Sequence, residues 1–166
     1  MTSKKGIAIT VIILVAITGA SFLLWLVPQE DETTFVVSDY ENYLDGVKNI
    51  HEVLQKSMEI EYQELRNGGI SPQDYIIIAE VTSSQITSQI SEFVTSKPPE
   101  AWQDSYISYM NAMQKFNSYI GETKVLANLI EKGSTDAEIN EVIERIESIK
   151  KESLEHVRNS EEQRPK

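Results

Sequence analysis

Residues Ile7 to Val27, IAITVIILVAITGASFLLWLV, run for 21 positions without one ionisable side chain. At 1.5 Å per helical residue such a run reaches about 31 Å, the hydrocarbon thickness of a bilayer, so the expectation is a single transmembrane anchor occupying residues 7–27. Lys4 and Lys5 precede it, and Glu30, Asp31 and Glu32 follow Pro28. Positive charge on the N-terminal flank alone places the N-terminus in the cytoplasm and everything after Pro28 outside. Trp25 sits where an interfacial aromatic belt is expected.

Two other uses of the segment compete with a retained anchor. A cleaved signal peptide has a shorter apolar region followed by small residues. Thr18-Gly19-Ala20-Ser21 supplies the small residues, but cleavage there strands FLLWLV at a new terminus. The second competitor is a filament leader. Lys5-Gly6-Ile7-Ala8 resembles the processing site of archaeal type IV pilins, with Lys5 and Gly6 as the candidate processing site, which implies a pilin-like filament subunit cut after Gly6. The whole opening, KKGIAITVIILVAITGASFLLW, resembles the N-terminal anchors of small, uncharacterised single-pass membrane proteins of ammonia-oxidising archaea. That resemblance covers residues 1–28. It implies a cell-envelope protein, assigns no activity and carries over no functional residue.

Charge and composition narrow the remainder. The chain has 166 residues, a formal net charge of −11 and no cysteine. Without cysteine there are no disulfides, thiol nucleophiles or thiolate metal sites. All 26 acidic residues follow Pro28, as do all the basic ones except Lys4 and Lys5. A surface so acidic has no excess positive charge to replace phosphate counterions, so no nucleic-acid partner is expected. The hydrophobic fraction of 40% suffices for a core.

After a linker at residues 29–37, the apolar residues recur in steps of three and four, the period of an amphipathic helix. Ser38-Asp39-Tyr40-Glu41 fits a capping box. The stripe Tyr40, Tyr43, Leu44, Val47, Ile50, Leu54, Met58, Tyr62 and Leu65 then predicts a first helix over 39–66, ended by Asn67-Gly68-Gly69. Ser71-Pro72 opens a second, with Tyr75, Ile78, Ala79, Thr82, Ile86, Ile90 and Phe93 inward, although the β-branched run at 76–78 leaves a strand over 75–81 as an alternative. Pro99 is a candidate first residue for a third helix carrying Trp102, Tyr106, Tyr109, Met113, Phe116, Ile120, Leu126, Leu129 and Ile130, with Gly121 inside it and Gly133 closing it. Thr135-Asp136-Ala137-Glu138 is a second capping box, opening a fourth helix with Ile139, Val142, Ile143, Ile146, Ile149, Ser153 and Val157. Residues 160–166 lack apolar side chains and are expected to be disordered. Four amphipathic segments on short connections predict an all-α chain: an N-terminal span, then an antiparallel four-helix bundle over 38–159.

Sites of chemistry are sparse. His51 and His156 are the only imidazoles, and neither has the Glu-x-x-His spacing of di-iron bundles. Both are expected to be solvated, with no metal and no cofactor. The acidic pairs around Glu59-Ile60-Glu61 and Glu161-Glu162 read as solvated helix faces, since no calcium-type loop is present. No nucleophile elbow, P-loop or dinucleotide fingerprint occurs, so no catalytic residue and no enzyme are expected.

The distinctive local feature is aromatic. Trp102, Tyr106, Tyr109 and Phe116 share one helical face. They read either as core or as a partly exposed contact patch beside a stiff Pro98-Pro99 loop, rings of this kind being favoured at interfaces. The candidate partner-contact residues are therefore Pro98, Pro99, Trp102, Tyr106 and Tyr109, facing an unknown envelope protein. The expected function is contact between proteins at the cell membrane. A small-molecule sensor bundle is the alternative, and it needs a partner to carry a signal inward.

Overall fold

The computed structural model describes residues 37–166. The expected span at 7–27, the Lys5-Gly6 site and most of the linker lie outside the described residues. Among the described residues no helix is long and apolar enough to cross a membrane.

Four helices fill this part of the chain: α1 Tyr40–Arg66, α2 Pro72–Thr95, α3 Glu100–Lys132 and α4 Asp136–Glu162. Their ends follow side-chain chemistry. Ser71 accepts from the Asp74 amide at 3.2 Å, with Pro72 in the first turn. Thr135 and Glu138 complete a reciprocal capping box, Glu138 accepting from the Thr135 amide at 2.9 Å. Gly68 (φ 71°) and Gly133 (φ 66°) take the left-handed conformation that lets the chain turn back on the last carbonyls. The following amides, of Gly69 and Ser134, donate to Glu64 at 2.7 Å and Leu129 at 3.0 Å.

Four sequence expectations change in detail. The N-cap of α1 is Asp39, not Ser38, because its carboxylate accepts from both the amide of Asn42 (3.0 Å) and the Asn42 side chain (2.6 Å). Residues 75–81 are helical, which removes the strand alternative; Tyr75, Ile78, Ala79 and Thr82 share one buried face that a strand would split between two. Pro99 precedes α3 as its N-cap instead of starting it. The tail at 160–166 is not wholly disordered, for α4 continues to Glu162. Ser160 is fully buried, and Arg164 holds Asp45 at 2.5 Å and Glu161 at 3.2 Å.

The running direction of each helix is set by its partners. Between α2 and α3, Gln73 meets Glu131, Glu80 meets Lys124 and Ser83 meets Asn117. Between α3 and α4, Ser105 donates to Ser160, Ser153 to Ala112 and Arg145 to Glu122. Between α1 and α4, Asp45 pairs with Arg164, Lys48 with Glu161 and Glu59 with Lys150. One number rises as the other falls in every series, so these neighbours are antiparallel. The rings of α1 and α3 advance together, Tyr40 on Tyr106, His51 on Tyr109 and Tyr62 on Tyr119, which is the diagonal of an up-down-up-down bundle.

α3 and α4 lie closest because small residues face each other there. Ala112, Ser105, Ser153 and Ser160 are buried, and the Ser105 and Ser153 hydroxyls bond main-chain carbonyls of the opposite helix at 2.8 and 2.9 Å. Those serines therefore bury no unmet polarity in closing the gap.

Candidate functional site

At the end of the bundle where α2 hands over to α3, Leu44, Val47, Phe93, Tyr106, Tyr109 and Met113 form a buried cluster, with Tyr40, Tyr43 and Trp102 packed against it. Phe93 stacks on Tyr106 at 4.7 Å, and Trp102 meets the Tyr106 edge at 6.2 Å. The Tyr106 hydroxyl donates to the Tyr40 carbonyl at 2.7 Å. Burial, followed by the neighbouring Tyr43 and Tyr40, pushes the Tyr106 phenol above its ordinary pKa, and it stays neutral.

This separates the five candidate contact residues. Tyr106 and Tyr109 are buried, so they are core and offer no outward area. The steps of three and four that put them on one face with Trp102 are the steps that turn that face inward. Trp102 and Pro98 are half-buried and Pro99 is exposed. The loop holding the prolines is fixed from below, the Tyr40 hydroxyl donating to the Lys97 carbonyl at 3.3 Å. Lys97 itself has φ 45°, unusual for a residue with a side chain.

Further along the axis lies a residue whose placement the sequence reading missed. His51 is not solvated but fully buried. Its Nδ1 is 2.9 Å from the Tyr109 hydroxyl, its ring tilts over Phe116 at 5.0 Å, and its Nε2 has no hydrogen-bond partner. Burial pushes its pKa down to about 4, so it is neutral at pH 7. Between Val47 and Leu54 helical steps fit either Ile50, expected inward, or His51; the structure turns His51 fully inward and leaves Ile50 half-buried. His156 is half-buried on α4. Among the described residues no group of three or more histidines and carboxylates is arranged to hold a metal ion.

The opposite end gathers tyrosines. The hydroxyls of Tyr62, Tyr75 and Tyr119 are all buried without a partner, and burial raises the pKa of each. Glu61, expected on a solvated face, is 7% exposed, and desolvation followed by the charge of Glu64 raises its carboxyl. It falls one turn from Met58 and Leu65, on the buried side of α1. For Glu59, partial burial pulls the carboxyl upward, but bonds from Lys150 and Gln63 outweigh that and hold it below its ordinary value.

No family model matches the chain, and no curated protein or solved structure matches it.

Proposed function

We propose that the chain is a single-pass envelope protein, anchored by residues 7–27 with its N-terminus in the cytoplasm, whose helical bundle stands outside the membrane and works by touching another protein, with no catalysis of its own. The observation that carries this reading is the uncharged run of 21 residues with lysines before it and only acidic residues just after it. The contact surface is the Pro98-Pro99 turn with the free edge of Trp102. A stiff turn pinned by Tyr40 and backed by stacked rings loses little entropy on binding, which favours it over the longer charged side chains of the other surfaces.

The test places a photoreactive amino acid at Pro99, and separately at Lys132 on the far end of α3, in the full chain in its native membrane. The expected result is a discrete adduct to a second protein from position 99 only. Identical adducts from both positions, or none from 99, would contradict the assignment.

A further inference from the structure

α1 is held to the bundle by different means from the other helices. α3 and α4 close on each other through buried serine hydroxyls that meet carbonyls of the facing helix, and the Ser83 hydroxyl of α2 donates to Asn117 of α3 at 2.7 Å. α1 instead meets α4 through three ion pairs, Asp45 with Arg164, Lys48 with Glu161 and Glu59 with Lys150, each with a side chain 38–47% exposed. Pairs so open to water contribute little and are screened by salt. Towards α3 it stands off on rings, His51 against Tyr109 and Phe116, and Tyr62 edge-on to Tyr119. α1 also carries two polar groups inward, His51 with its Nε2 unpaired and Glu61. Both lose water when α1 docks and regain it when α1 leaves. Leu44, Leu54, Met58 and Leu65 are buried by docking, so the docked form predominates and the released form is a minor state.

The first turn of α1 is also what holds the Pro98-Pro99 turn. The Tyr40 hydroxyl donates to the Lys97 carbonyl at 3.3 Å, the Tyr40 carbonyl accepts from Tyr106 at 2.7 Å, and the Tyr43 ring lies parallel to Phe93 at 6.1 Å. Lys97, at φ 45°, keeps a backbone conformation that persists only where neighbours fix it.

We propose that α1 is a releasable strap: it leaves α2, α3 and α4 as one unit, hinged at Gly68-Gly69, and its departure frees the Pro98-Pro99 turn, so that tension on the N-terminal end of α1 regulates the contact surface. This rests on the reading of Pro98, Pro99 and Trp102 as that surface. α1 has a single covalent connection to the other three helices, the turn at 67–71, where Gly68 already takes a positive φ. It is also the helix that follows the linker from the proposed anchor, so a displacement of the bundle against the membrane acts on α1 first. α4 is the other terminal helix of the four, but its serines seat it on α3. Release of α1 is therefore the opening of lowest cost.

Hydrogen exchange read by mass spectrometry tests this on the full chain in lipid vesicles. Amides of α1 are expected to exchange together, at least tenfold faster than those in the middle of α3 and α4. Native cysteine is absent, so Lys48→Cys and Glu161→Cys supply the only thiols, and a bis-maleimide across them ties α1 to α4. The tie is expected to slow exchange at least fivefold in α1 and in residues 93–97, relative to the same chain with each thiol capped singly. Asp45→Asn, which removes the charge facing Arg164, is expected to speed both segments. If α1 in the unaltered chain exchanges no faster than α3 and α4, the bundle opens only as a whole and the proposal is overturned. A tie that slows α1 and leaves 93–97 unchanged overturns the link to the turn. Adducts from position 99 are read separately, so loss of the contact surface and loss of the strap give different results.

Discussion

His51 is a base held in an apolar site, and its chemistry sets a pH dependence of opposite origin to that of a salt bridge. Its pKa falls from an ordinary 6.5 to about 4 on folding, so between those values the unfolded chain binds the proton more readily. The stability associated with the neutral ring is complete above pH 6.5 and is lost as pH falls toward 4, a change of about 3 kcal/mol. Glu61 and Glu92, whose carboxyls are raised by burial, act in the other direction over part of that range, but equally in the parent and in a His51→Leu variant. Denaturant titrations at pH 7 and pH 4.5 are therefore expected to show a smaller loss of stability in His51→Leu than in the parent. Equal losses would mean that His51 is not buried as described. Tyr75 is the complementary case. Its hydroxyl is buried beside that of Thr123, which donates to the Ile120 carbonyl at 2.8 Å and keeps that bond without Tyr75, so Tyr75→Phe removes a buried polar group without removing packing. An increase in stability of up to about 1 kcal/mol is expected by urea denaturation. Gly121 sits exposed within α3 with nothing in the way of an added methyl group. Gly121→Ala is expected to stabilise by about 0.5–1 kcal/mol, read in the same titration.

At the level of the helices, the points where the chain stops and starts were legible because they depend on local chemistry. Ser71 before Pro72, Thr135 three before Glu138 and glycines at 68 and 133 each satisfy orphaned amides or carbonyls within a few residues, and such signals survive without knowledge of the fold. Thr135→Ala removes the anchor of the box that opens α4 and is expected to lower stability by about 1 kcal/mol, measured by thermal and denaturant unfolding, with Glu138→Gln costing less. The inner stripe of α2 could be read from Tyr75 to Phe93 for the same reason: its apolar residues are large and regularly spaced. Less legible was the packing that relies on small or polar residues. Ser105, Ala112 and Ser160 give no hydrophobic signal, yet they form the seam between α3 and α4, and the last of them carries the helix into what composition alone marks as a tail. Asp39 displaced Ser38 as a cap because its carboxylate takes both the Asn42 amide and the Asn42 side chain, and the second of these bonds is no part of the capping-box pattern.

At the scale of the whole bundle, the count and order of the four helices among the described residues followed from the sequence, whereas the division of aromatic residues between core and surface did not. Helical periodicity says that Trp102, Tyr106 and Tyr109 share a face; only the position of α1 and α2 beside α3 decides that Tyr106 and Tyr109 are covered and Trp102 is partly left out. His51 and Glu61 show the same limit in reverse, as charged-type residues carried inward by their place in an apolar stripe. The electrostatic character of the bundle also emerges at this scale. Acidic residues crowd the outward positions of α4, whereas the middle stretches of α2 and α3 turn few charges outward. The Pro98-Pro99 surface has its proposed role only if the bundle is tethered outside the cell. The direct measurement is membrane fractionation of cells expressing the full chain with a C-terminal tag, followed by external protease treatment of the intact cells. The account expects the tag in the membrane pellet and lost on treatment. A tag recovered in the cytosolic fraction, or one that survives external protease and disappears only after lysis, would contradict it.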